Sequence, residues 1–436
     1  MQTSSKAIVE TVPKQKHERP MVHLHLTRRI YVVLLLLLIA PWGLLAALWM
    51  AKDLFLSVHA SKVSTVAATD GRVTYAVPGP WGTLRCTRIA IEPPTEAVFI
   101  KPEDEAPPRW NFTGFTVDKV RQLFAAVGFK PEQVFFLMDR TRVDPATGTP
   151  MTSPPPEFVL GMPTETRRQL YYVLASLPEN PLQKFAASLL PRYMDEQFEA
   201  SDLPPAVIAD IKRMLYPHGN ILLFADSNIL LPRMGNARDK IHLIKTLARK
   251  NTLLVDLEVN AKSNTDELVH YWGVGGRTKD IDPLLESLRR TPGGAAVDIA
   301  HLLPRFVRER IYTFPYSSSQ AIDAHRDCHW TSMNFFSTKP DDRYADPDFA
   351  YETIRNDYYA ISTDSRLGDL VLLLTPKNQL VHSAVFIADD IVFTKNGVMA
   401  THPWMFMRTA DLLELYEGAF QAEDSLQVMY YRKRAD

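Results

Sequence analysis

"HSAVFIADDIVFTKNG", His382 to Gly397, is the stretch whose reading decides the fold of the C-terminal part. From His382 the residues run as an alternating strand, Asp389-Asp390 interrupts them, and Ile391 onward returns as a second strand, which predicts a hairpin. Upstream, "RLGDLVLLL" (366–374) enters another strand through a Gly-Asp turn. Further upstream, "HRDCHWTSMNFF" (325–336) places Cys328, behind Asp327, at the start of a predicted helix. Helix and antiparallel strands in this order predict an α+β domain.

Chemistry follows from residue type and place. A thiol at a helix N-terminus feels the positive end of the dipole and free backbone amides, so its thiolate is expected to be favoured. Cysteine-based acyl chemistry needs that thiolate, an imidazole to exchange protons with it, and a polar group to orient the imidazole. Cys328 and His382 supply the first two. Strand pairing narrows the third. An odd-numbered loop centred on Asp389 sets Asn396 opposite His382, with Thr394 on the same face; a two-residue loop at Asp389-Asp390 turns Lys395 there instead. Asn396 is the first candidate, Thr394 the second and Lys395 the alternative.

Other readings of Cys328 stand beside this one. The chain has two cysteines, so a Cys86–Cys328 disulfide is one alternative. His325, Cys328 and His329 are spaced like metal ligands, but no second CxxC or HxxxH cluster completes a set, and no metal or cofactor is expected. A plain packing thiol is the third alternative, and it is the favoured reading of Cys86. His402 and "PWMFM" (403–407) read as core or cleft wall.

Residues 314–397 resemble the NlpC-type cysteine peptidases, a papain-like family that hydrolyses amide bonds in cell-wall peptides. The resemblance is carried by Pro315-Tyr316 twelve residues before Cys328, by Asp327, by "RLGDL" at 366–370, and by His382 opening a hairpin. It implies a papain-like domain with Cys328 as nucleophile, His382 as base and Tyr316 beside the thiol, helping to bind the oxyanion. Three positions depart from the family pattern: His329-Trp330 follow the cysteine, "SSSQ" follows Tyr316, and Thr394 stands where a histidine is common.

The rest of the chain sets the location. Among 436 residues, 30–51 ("IYVVLLLLLIAPWGLLAALWMA") carry no charge and suffice to cross a hydrocarbon core of about 30 Å. A transmembrane helix is expected there, with a cleaved signal peptide ending near "VHA" (58–60) as the alternative. Lys6, Lys14, Lys16, Arg19, Arg28 and Arg29 precede the span, whereas Lys52 and Lys62 follow it. The positive-inside rule places residues 1–29 in the cytoplasm and the bulk outside, on the plasma (inner) membrane of a cell envelope. A net charge of −1 with no basic stripe argues against nucleic acid.

The expected divisions are a tail (1–29), the span (30–51), a small β-rich region (52–109), a helical or α/β module (110–310) and the cysteine domain (311–436). Within the module, 116–128, 164–177, 181–190 and 205–216 read as helices, and 220–226 and 252–259 as strands. "WGVGGR" (272–277) reads as a turn. The expected function is a membrane-anchored envelope hydrolase acting on peptidoglycan-like peptides. An acyltransferase using the same Cys-His site, or a non-catalytic envelope scaffold, is the alternative.

Overall fold

Strands Thr83–Ile91 and Lys250–Val259 pair antiparallel along their whole length, from Thr83 opposite Glu258 to Ile91 opposite Lys250. This ladder organises the protein. The computed structural model describes residues 71–199, 201–315, 326–419 and 425–434. The chain divides into two units, 1–64 and 65–436, and the described residues belong to the second. The expected tail, the span 30–51, Tyr316 and His325 lie outside them. Among the described residues no helix is long and apolar enough to cross a membrane.

Helix and strand are mixed throughout, an α+β fold. The first large sheet contains β1 (Val73–Tyr75), β2 (Thr83–Ile91), β3 (Lys250–Val259) and β4 (Ala295–Asp298), in that order. The second contains β5 (Tyr358–Ile361), β6 (Leu370–Leu374), β7 (Leu380–Ala388), β8 (Ile391–Lys395), β9 (Trp404–Arg408) and β10 (Gln427–Lys433), in the order β5-β10-β6-β7-β8-β9. Both are antiparallel.

One core serves both sheets. It joins Leu84, Val255 and Leu257 from the first to Leu372, Val385, Phe393 and Phe406 from the second, with Trp272, Phe306 and Trp330 between. The Thr252 hydroxyl donates to the Phe406 carbonyl at 2.9 Å and accepts the Phe406 amide at 3.2 Å. The expected borders at 109/110 and 310/311 therefore do not separate cores. β2 comes from the region expected to end at 109, β3 from the region expected to begin at 110, and both pack with the C-terminal sheet.

Between β2 and β3 lies a helical insertion with its own core, running from Trp110 to Leu247. Its helices start where the sequence signals them. Thr116 caps Val117–Ala126 by accepting the Lys119 amide, and Pro205 opens Pro205–Met214. Residues 181–190 differ from expectation. Only Pro181–Lys184 is helical, because Ala187–Leu189 pairs with Ile221–Phe224, and a ladder of backbone bonds outweighs weak helical spacing.

The Gly-Asp entry to β6 is built from conformation and charge. Gly368 takes φ +95, and a Cβ there would meet the Phe336 ring at 2.2 Å. The buried Asp369 carboxylate accepts the Arg366 amide at 2.7 Å and grips the Arg432 guanidinium of β10 at 2.7 and 2.9 Å.

Candidate active site

His382 lies near the start of β7, fully buried, with Nε2 2.8 Å from Thr394 Oγ1 of β8. The Thr394 hydroxyl donates to Asn396 Oδ1 at 3.3 Å, and the Asn396 amide nitrogen donates to the Met407 sulfur at 3.0 Å. A hydroxyl has one hydrogen. With that hydrogen directed at Asn396, Thr394 accepts from the histidine. The proton is thereby assigned to Nε2, and Nδ1 is left as a lone pair. Nδ1 is buried and has no hydrogen-bond partner among the described residues.

The register that makes this pairing combines both sequence alternatives. The turn is the tight one: Asp389 takes φ 53 and Ala388 pairs with Ile391. A bulge between Phe386 and Ala388 then adds one residue, so Phe386 faces Val392 and Val385 faces Phe393. Continued to the site, that register sets Asn396 level with His382 and Thr394 on the histidine's face. Thr394, the second candidate, makes the contact, and Asn396 acts through it. Lys395 is buried on the other face, where its ammonium donates to the Gly397 carbonyl.

Cys328 begins the Cys328–Met333 helix, capped by Asp327, whose Oδ1 accepts the amides of His329 and Trp330 at 2.9 and 3.0 Å. Ser383 fastens this helix to β7, its Oγ lying 2.9 Å from His329 Nδ1 and 2.7 Å from Ser332 Oγ. The Ser383 amide points at the Cys328 sulfur. Ser383 holds the cysteine helix, while the preceding residue, His382, lies against Tyr416, whose hydroxyl also feels the charge of Cys328. The two rings are 4.3 Å apart, Tyr416 coming from Thr409–Ala419.

The electrostatics correct the expectation of a favoured thiolate. Burial pushes the Cys328 thiol up to about 12, the Asp327 charge adds to this, and the nearby amides pull the other way without prevailing. The helix is short, and Asp327 takes the Trp330 amide and shares the His329 amide with the sulfur. Burial also holds His382 well below its ordinary value, with His329 next in effect. At neutral pH the resting pair is a thiol and a neutral imidazole.

Both cysteines are free, so the Cys86–Cys328 disulfide is not formed. Cys86 is buried in β2, which pushes its thiol up to about 11. Asp327, Cys328 and His329 bring ligand-type atoms within 4.8 Å of one another. Two of the polar atoms in this group are already engaged, Asp327 Oδ1 with two amides and His329 Nδ1 with Ser383. Tyr416 escaped sequence reasoning. Burial raises its hydroxyl well above the ordinary value, with Cys328 and Asp327 the next contributors, and nothing in "DLLELYEG" (411–418) marks it.

A cavity of about 580 Å³ opens beside Tyr416, which lines it. Asn396, Met405 and Met407 line it from the C-terminal sheet, and Tyr171, Tyr216 and Leu223 line it from the helical insertion.

No protein-family model, curated protein or solved structure matches this chain.

What the site can do follows from its own residues. Thr394→Ala should release the imidazole and lower turnover by roughly 10², while Thr394→Ser should recover most of it. Asn396→Ala should cost less, because the hydroxyl keeps its contact with Nε2. Steady-state rates at unchanged melting temperature check the order. An Asn396 effect larger than that of Thr394 would exclude the relay.

Proposed function

We propose that the protein is a cysteine hydrolase acting on amide bonds, with a papain-like C-terminal domain, Cys328 as nucleophile and His382 as general base. One observation carries this reading. His382 is held at Nε2 by Thr394 and Asn396 and presents a buried, unpartnered Nδ1, on the same strand whose next amide points at the Cys328 sulfur.

The mechanism starts from neutral partners. As the sulfur attacks the carbonyl carbon, Nδ1 takes the thiol proton, and the new imidazolium is stabilised through Thr394 and Asn396. The Trp330 amide is committed to Asp327, so the oxyanion falls to the Cys328 and His329 amides that already reach the sulfur. His382 then protonates the leaving amine, and water hydrolyses the thioester with His382 again taking the proton. Cell-wall peptides are the substrate class implied by the NlpC-type resemblance, and the span expected at 30–51 would hold the site at an envelope membrane.

The test is product formation. The full-length chain incubated with purified muropeptides should release amine and carboxylate in equal amounts, and Cys328→Ala should release neither. Release that survives Cys328→Ala, or no release by the unaltered chain, would overturn the reading. Acyl transfer to an amine by the same dyad is the second reading, favoured by the apolar cavity beside Tyr416; its product is a new amide in place of the free acid.

A further inference from the structure

The cavity beside Tyr416 has a charge pattern that the cysteine chemistry does not use. Among the described residues no Asp or Glu lines it, whereas Lys184, Arg249 and Lys250 do. Arg249 is answered by Glu92 at 2.9 Å. Lys250, the first residue of β3, has no carboxylate partner among the described residues. It is partly buried and lines the cavity. The remaining wall mixes Tyr, Leu and Met with Ser, Gln, Asn and His side chains, among them Gln197, Asn251 and His402. An unpaired ammonium in an apolar enclosure is costly unless an anion joins it. A pocket of this size with apolar walls and one placed charge suits a small amphipathic ligand.

We propose that this cavity binds a long-chain carboxylate, with Lys250 as counter-ion to the headgroup and the insertion and C-terminal sheet as walls for the chain. A purely apolar ligand leaves Lys250 unpaired, and a cationic one opposes it. Tyr416 links the cavity to the dyad, because it lines the cavity and packs its tilted ring against His382. Binding itself needs neither Cys328 nor His382, so it stands or falls apart from the proposed hydrolysis.

The test compares ligands of one chain length. The full-length chain, held in an amphipol without added lipid, is titrated calorimetrically with decanoate, decanol and decyltrimethylammonium. Decanoate should bind one molecule per chain, at least about tenfold tighter than decanol. Lys250→Met should remove that preference while leaving decanol binding in place, and Lys250→Arg should keep it. Leu223→Trp, which fills the cavity, should weaken decanoate and decanol together. Circular dichroism identifies any variant that fails to fold; if Lys250→Met does, Lys250→Arg and Leu223→Trp still decide. The proposal is overturned if decanol equals decanoate, if the cation binds tightest, if Lys250→Met keeps the preference, if Leu223→Trp binds normally, or if acetyl-D-alanyl-D-alanine outcompetes decanoate.

Discussion

On the proposed mechanism His382→Ala should lower turnover by about 10²–10⁴ and leave alkylation of resting Cys328 almost unchanged at pH 7. The two effects separate because the thiol is protonated at rest. A pre-formed thiolate–imidazolium pair would alkylate quickly at pH 6–7 and would slow when the histidine is removed. With the thiol pushed up to about 12 by burial, the thiolate fraction at pH 7 is about 10⁻⁵, and alkylation should rise about tenfold per pH unit between 7 and 10. On the proposed mechanism turnover is different, since Nδ1 takes the proton only as the carbonyl carbon is attacked. Iodoacetamide labelling followed by mass spectrometry, beside a turnover assay, reads both. Fast labelling at pH 6 that vanishes in His382→Ala would replace the neutral dyad with an ion pair.

Arg167→Met should destabilise the fold by about 3–5 kcal/mol. Arg167 and Asp226 form an ion pair with side chains 0% and 3% exposed, in the core of the helical insertion. The Tyr171 hydroxyl donates to the same carboxylate, and the second guanidinium nitrogen donates to the Val159 carbonyl at 2.6 Å. Removing the arginine strands a buried carboxylate beside a carbonyl that also loses its donor. Substituting both partners, Arg167→Met with Asp226→Leu, should recover most of the loss, because no charge is then left without a partner. Urea denaturation followed by tryptophan fluorescence measures each step. A single-variant cost below about 1 kcal/mol, or a double variant no better than the single, would mean that water reaches the pair.

The hairpin at 382–397 and the helix at Cys328 were legible because their signals are local: alternation, a turn pair, a capping aspartate. Register was not. The bulge between Phe386 and Ala388 has no marker in "AVFIADD", and the Ile387 carbonyl accepts the Tyr271 hydroxyl at 2.6 Å from a distant helix. That one carbonyl faces away from the ladder, and Thr394 meets His382 as a result. The protonation state of Cys328 was equally hidden, since sequence locates the helix start but not how deeply the sulfur is covered. The shared core of the two large sheets rests on pairing between residues 91 and 250, a separation that no local pattern reports. Tyr416 and the cavity arise only where three distant segments meet.

The long insertion between β2 and β3 has a consequence for how the chain is made. The 159 residues from Ile91 to Lys250 take about 8–30 s to synthesise at 5–20 residues per second. Through that interval β2 has emerged and β3 does not yet exist. The insertion has its own core, so it can condense first and return the chain beside the point where it left. Its folding sets when the ladder can zip. An insertion slow to close would leave the Thr83–Ile91 edge bare to other nascent chains, with the cysteine site still unmade.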